Sequence, residues 1–149
     1  MTPEEAVGEI ARALALMLSG AEWLRAIGPA AVAAAYNGIG PDWLPDAIRD
    51  QLSRWLSLYA ICAVIHDCRY QYCNDGTSAA FDAANNELER NCRIVADATY
   101  SWFNPLRYLA RRGGRLLANA CRRFGWAAWR AAYDVYGSPE AKGETPCTV

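Results

Sequence analysis

Residues 61–92 read ICAVIHDCRYQYCNDGTSAAFDAANNELERNC, and this stretch decides the fold. Apolar residues recur at intervals of three and four on both sides of Asn74-Asp75-Gly76, a sequence typical of a turn. Each half is therefore predicted to form a helix with one apolar face. Because the connection is so short, the two helices are expected to lie antiparallel and side by side.

The same period of about 3.6 residues recurs along most of the 149-residue chain, and no stretch of useful length alternates with period two. The predicted fold class is therefore all-α, with an antiparallel helical hairpin at its core. The first predicted helix runs from Pro3 to about Gly20, or with a kink to Gly28-Pro29, and the second from near Pro45 to Cys73. The third begins at a cap, Thr77 or Ser78, and ends at about Tyr100. After a break at Asn104-Pro105 and a weak point at Gly113-Gly114, the last helical stretch ends at about Tyr136.

Length and composition indicate one globular domain. Hydrophobic residues make up 53% of the chain and charged residues 21%, which excludes a disordered protein. No apolar run approaches the roughly 18 to 20 residues that cross a bilayer. We expect a single domain over residues 1–137, with its core at 36–100, basic aromatic helices at 103–136 and a loose tail at 138–149. The acidic start MTPEEAVGEI is unlike a signal peptide, so we expect synthesis in the cytoplasm and any export by another route.

His66 is the only histidine, and it lies on the apolar stripe of the first hairpin helix. An isolated core histidine is more often structural than catalytic, but Asp67 lies about 100° further around the helix, so the pair can contact two different ligands. This arrangement suits a general base beside a metal ion. Across the hairpin, Asn85 lies near the middle of the apolar stripe and Asp82 at its edge. Either could accept a hydrogen bond from the far ring N–H of His66 and fix its tautomer.

The loop at residues 36–41, YNGIGP, has glycines at alternate positions. Glycine lets the backbone turn so that several carbonyls converge, and carbonyls with one carboxylate are the ligands that calcium takes. By itself such a loop is more often a tight connection between helices. Together with His66-Asp67 it predicts a calcium site.

In combination these residues resemble the phospholipase A2 superfamily, and particularly its short bacterial and phage members. The resemblance covers residues 36–95. The motifs that carry it are Tyr36-x-Gly38-x-Gly40, a helix with His66-Asp67-x-x-Tyr70, and an antiparallel helix with a polar residue in its apolar face.

The resemblance implies a calcium-dependent hydrolase that cleaves the sn-2 ester of glycerophospholipids. His66 would activate water as general base, and Tyr70 would brace the residue that orients His66. The implied calcium ligands are the carbonyls of Tyr36, Gly38 and Gly40 and the carboxylate of Asp67.

A disulfide between Cys62 and Cys92 is also implied, because the superfamily bridges the cysteine one turn before its histidine to the facing helix. The superfamily orients its histidine with an Asp, and here Asn85 occupies the matching pattern, with Asp82 as the alternative. If Cys92 meets Cys62, helical geometry brings Asn85 level with His66, so we expect Asn85 to be the partner.

The C-terminal third is basic and aromatic. Residues 101–149 carry eight Arg and Lys against three acids, whereas residues 1–100 carry seven Arg against thirteen acids. The aromatic residues interleaved with seven Arg are Trp102, Phe103, Phe124, Trp126 and Trp129. Such a composition fits an interfacial helix on anionic lipid, although it also occurs in nucleic-acid-binding proteins and on solvated faces. For a lipid hydrolase, we expect segment 102–130 to dock on an anionic phospholipid membrane and expect no nucleic-acid partner.

Two alternative functions remain compatible with the sequence. Cys62, His66 and Cys73 share one stripe and Cys92 faces them, which predicts a structural zinc site of three cysteines and one histidine. The other is an interaction protein, associated with a phage or a toxin, that keeps the phospholipase frame without turnover.

Overall fold

The computed structural model describes residues 1–36 and 57–136, and within them it contains only helices and turns. The helices are α1 (Pro3–Ala15), α2 (Ala21–Ile27), α3 (Pro29–Ala35), α4 (Ala60–Tyr72), α5 (Ser78–Thr99), α6 (Pro105–Phe124) and α7 (Trp126–Tyr136), with a 3₁₀ turn at Ser57–Tyr59 before α4. The all-α prediction is confirmed. The predicted helix start near Pro45 and the predicted tail at 138–149 lie outside the described residues.

The N-terminal region forms three helices rather than one kinked helix. The Thr2 side chain caps α1 and exchanges hydrogen bonds with Glu5, a capping box that fixes the start. The chain leaves α1 through Met17 at φ 50° and Gly20 at φ 88°. Gly28, at φ 84°, separates α2 from α3. α3 was not predicted; it begins at a proline, which is favoured at the first helical position.

The antiparallel hairpin formed by α4 and α5 is the centre of the fold. Three contacts run in opposite directions along the two helices: Cys62 with Cys92, His66 with Asn85, and Tyr70 with Phe81. α4 is buried on nearly all sides, because α1, α2, α3 and α7 also pack against it. Thr77 caps α5 by accepting a hydrogen bond from the Ala80 N–H, as its sequence predicts.

A buried ion pair joins the hairpin to the N-terminal region. Arg69 is 6% exposed and Glu87 7%; the guanidinium donates from Nε to Oε2 at 2.9 Å and from Nη2 to Oε1 at 3.2 Å. The Ser19 hydroxyl donates to the same carboxylate at 2.6 Å, and the guanidinium lies 4.6 Å from the Trp23 ring centroid. The Asn91 side chain accepts a hydrogen bond from the Ser19 N–H and donates one to the Ser19 carbonyl. These bonds hold the turn between α1 and α2 against α4 and α5.

The predicted disulfide is wrong in this structure. Cys62 and Cys92 face each other at the predicted register, but both are free, fully buried thiols. A hydrogen bond between the two thiols and burial together raise the pKa of Cys62 well above its ordinary value. Thiol oxidation proceeds through the thiolate, which this environment disfavours.

Gly113-Gly114 does not interrupt α6, contrary to the predicted weak point. The helix runs unbroken from Pro105, capped by the Asn104 side chain, to Phe124. Gly114 lies where α6 crosses α5: a Cβ at this position would come within 2.5 Å of the Cys92 Cβ. The glycine is therefore required by close packing between two helices.

We expect Gly114→Ala to lower the free energy of unfolding by about 1–3 kcal/mol, because the added methyl group would overlap Cys92. Gly113→Ala is the matched control, since its Cβ would lie 3.9 Å from the nearest neighbouring atoms, those of the Tyr59 side chain. It should raise stability by about 0.5–1 kcal/mol, because alanine favours helix more than glycine. Urea denaturation measures both variants, and equal stability of the two would contradict the close crossing.

Candidate active site

The His66 ring is buried between α4 and α5 and contacts the Asn85 side chain. The distance from His66 Nε2 to Asn85 Oδ1 is 3.2 Å, and the His66 side chain is 8% exposed. Asn85 Nδ2 donates to the Phe81 carbonyl at 2.8 Å, so the amide cannot be turned over without losing that bond. Oδ1 is thus the acceptor and His66 Nε2 carries the proton. In the neutral ring, Nδ1 then keeps its lone pair.

Asp82 lies on an exposed part of α5, three residues before Asn85. The structure therefore pairs His66 with Asn85 and not with Asp82, as the helical geometry predicts. The catalytic roles of these residues remain predictions.

Asp67 lies on the other side of the His66 ring. Its Oδ1 is 3.9 Å from Nδ1, too far for a direct hydrogen bond, and its side chain is 20% exposed. An ionised carboxylate also has no proton to donate. Asp67 therefore leaves the Nδ1 lone pair available while placing a negative charge beside it.

The charge of Asp67 acts on several neighbouring groups. Burial is the larger cause and the Asp67 charge a further cause of raised pKa values at Tyr36, Cys68, Tyr70 and Cys121. The pKa of Cys121 is raised to about 11 and that of Cys68 to about 12. The Asp67 carboxylate therefore lies near all four of these groups.

Of the four residues predicted to hold calcium, Tyr36 and Asp67 lie in the part of the chain that the structure describes. Tyr36 follows α3 and lies close enough to Asp67 for the carboxylate to raise the pKa of its hydroxyl, after the larger effect of burial. Gly38 and Gly40 lie outside the described residues.

Tyr70 forms one wall of the site. Its ring centroid is 4.3 Å from that of His66 and 4.8 Å from that of Trp129 on α7. Its hydroxyl is buried close to Asn85 but makes no hydrogen bond of ordinary geometry with a described residue. Tyr70 thus contacts the His66 ring; burial raises the pKa of its hydroxyl, and the proximity of that hydroxyl to Asn85 lowers the pKa by a smaller amount. The predicted bracing of Asn85 by Tyr70 stays a prediction.

Trp129 closes the site from the C-terminal side and is 1% exposed. The prediction placed Trp129 among the membrane-facing aromatic residues, and that placement is wrong. The Asn74 side chain donates to its carbonyl, and its ring packs on Tyr70 and Phe81. The sequence carried no signal for this, because Trp126 and Trp129 lie in similar local surroundings and only tertiary packing distinguishes them.

The predicted zinc site is not formed. All four of its residues, Cys62, His66, Cys73 and Cys92, are among those described, and no three His, Cys, Asp or Glu side chains in residues 1–36 and 57–136 are grouped to bind a metal. The predicted calcium site uses one carboxylate and backbone carbonyls, so this result does not bear on it.

No protein-family model, curated protein or solved structure matches the chain. Within the described ranges, no helix has the length and apolar character needed to cross a membrane.

Proposed function

We propose that the protein is a calcium-dependent, phospholipase A2-like hydrolase that cleaves the sn-2 ester of glycerophospholipids. The observation that carries this proposal is the contact between His66 Nε2 and Asn85 Oδ1, with Asp67 on the other side of the ring. The antiparallel hairpin that holds these residues supports the resemblance to the superfamily. The difference is a neutral amide where the superfamily has a carboxylate.

In the proposed reaction, His66 Nδ1 takes a proton from water, and the water oxygen bonds to the ester carbonyl carbon. The ester C–O bond then breaks, and His66 returns the proton to the departing alcohol oxygen. Asn85 keeps Nε2 protonated, so that Nδ1 is the basic atom. Because Asn85 carries no charge, it stabilises the imidazolium less than an Asp would, and we expect a slow enzyme.

Calcium would be held by Asp67 and the carbonyls of Tyr36, Gly38 and Gly40. The fit rests on the chemistry of this donor set, one carboxylate with backbone carbonyls, and on the proximity of the Tyr36 side chain to Asp67. When bound, calcium supplies positive charge that polarises the ester carbonyl and stabilises its oxygen.

A second candidate is an interaction protein that retains this frame without turnover. The observation in its favour is the burial of His66, which is 7% exposed and lies against Tyr70. A substrate would reach Nδ1 only if the groups around the ring moved apart. Turnover distinguishes the two functions.

The test is calcium-dependent release of fatty acid from mixed phospholipid vesicles. We expect His66→Ala to reduce the rate at least about 100-fold, since general-base catalysis contributes about that much or more. Asn85→Ala should also fall well below the wild type, whereas Asp82→Ala, the matched control on the exposed side of α5, should stay close to it.

Absence of calcium-dependent release by the wild type would contradict the hydrolase and leave the interaction protein. If Asp82→Ala fell further than Asn85→Ala, the orienting role would pass to Asp82.

Calcium should raise the thermal unfolding temperature, because a ligand that binds only the folded state stabilises it, by about 2.7 kcal/mol at a hundred times its Kd. Asp67→Asn should abolish this shift, and Asp82→Asn should preserve it. Differential scanning calorimetry measures the shift in all three proteins. No shift at millimolar calcium, or a shift that survives Asp67→Asn, would exclude the proposed ligand set.

A further inference from the structure

The outward face of α6 is apolar and exposed. Four of its side chains, here called the α6 stripe, are Leu106, Leu109, Leu116 and Phe124, each between 50% and 69% exposed. At about 100° per residue they fall within an arc of about 80°. Trp102 and Phe103, just before the helix, are 76% and 72% exposed. An apolar stripe at helical spacing that faces water indicates a surface that binds apolar material.

The opposite face of α6 is already occupied. Gly114 and Ala118 pack against the protein, and Arg107 and Arg111 both donate to Asp97 on α5, at 2.7 and 2.6 Å. These two arginines hold the pKa of Asp97 well below its usual range. Segment 102–130 is predicted to dock on a membrane, but these two of its arginines join α6 to α5 instead.

Other arginines border the α6 stripe along one edge. Arg112 and Arg123 lie nearest to the α6 stripe around the helix. Both are exposed, and neither forms an ion pair with a described residue. Arg115 and Arg111 follow and line a cleft of about 380 Å³ between α6 and α5. α6 as a whole contains six arginines and no acidic residue.

The wall of the cleft on α5 adds two more arginines. Arg90 and Arg93 are exposed and likewise form no ion pair with the described part of the chain. The cleft contains one acidic side chain, Glu89, which is paired with Arg122 at 2.8 Å and lies 3.5 Å from Arg115. Arginine donors in such a concave arrangement match the oxygens of a phosphate group.

We propose that this surface docks on an anionic phospholipid membrane. The α6 stripe, with Trp102 and Phe103, enters the boundary between headgroups and acyl chains, and Arg112 and Arg123 contact lipid phosphates. The cleft lined by Arg90 and Arg93 holds the phosphate of one anionic lipid. Docking does not require catalysis, so it would persist in a protein without turnover.

Charge favours lipid over the other possible occupants. A symmetric pair of α6 stripes would bring Arg112 and Arg123 close to the same residues of a second copy, where like charges repel. A nucleic acid would satisfy the arginines but leave the stripe in water. An anionic membrane satisfies both parts of the surface.

The other flank of α6 borders the candidate active site. Cys121 lies close enough to Asp67 for that charge to raise its pKa, after the larger effect of burial. At the end of α6, a Cβ on Gly125 would come within 2.7 Å of the Tyr70 hydroxyl. A membrane bound along the α6 stripe would therefore lie beside the site where the proposed substrate is cleaved.

The test is co-sedimentation of the full chain with vesicles of phosphatidylcholine alone or of equimolar phosphatidylcholine and phosphatidylglycerol. The wild type should bind the anionic vesicles at least about tenfold more tightly, and added salt should weaken binding. Leu109→Glu and Leu116→Glu should each reduce binding about tenfold or more. The matched control is Val135→Glu on α7, because Val135 and Leu109 are both 65% exposed; it should bind as the wild type does.

The cleft is tested separately with Arg90→Gln/Arg93→Gln, which should lose preference for the anionic vesicles more than affinity for phosphatidylcholine. Equal binding to both kinds of vesicle, or wild-type binding by Leu109→Glu and Leu116→Glu, would overturn the proposal. A dimer in sedimentation velocity that Leu109→Glu dissociates would assign the α6 stripe to a second copy instead. Circular dichroism of each variant confirms that the helices are retained.

Discussion

The ion pair between Arg69 and Glu87 sets the register of α4 against α5, on which the rest of the structure depends. Both charges are removed from water, so a slip that separated them would leave each uncompensated, and loss of one partner typically costs about 3–5 kcal/mol. Arg69 lies one turn after His66, and Glu87 lies two residues after Asn85. The register that closes the ion pair therefore also brings the histidine to the amide.

Two surfaces of opposite character follow from this register. On one flank of α6, the hairpin presents an imidazole fixed at Nε2 beside the charge of Asp67. On the other, α5 supplies Asp97 to two arginines of α6, while Gly114 lets the helices approach closely. Because these contacts use the inner face of α6, its apolar face is left outward. The proposed catalysis and the proposed lipid contact thus depend on the same helix packing.

Local features of the sequence were sufficient to predict much of this fold. The turn at Asn74-Asp75-Gly76, the cap at Thr77 and the choice of Asn85 over Asp82 depend on spacing within one or two helices, which periodicity describes. The burial of Trp129 and the need for glycine at 114 depend on which helix packs where. The sequence pattern does not contain that information. The prediction of a Cys62–Cys92 disulfide was wrong for another reason: the helix register was right, but the two cysteines are buried free thiols.

With this geometry, Asn85 holds the proton on Nε2 of His66 and leaves the lone pair on Nδ1. His66 is the only histidine, so the ring nitrogens of a protein labelled with ¹⁵N-histidine belong to one residue. Nuclear magnetic resonance at a pH where the ring is neutral should show the Nε2–H tautomer in the wild type and a mixture of tautomers in Asn85→Ala. A wild-type ring protonated on Nδ1 would contradict the account.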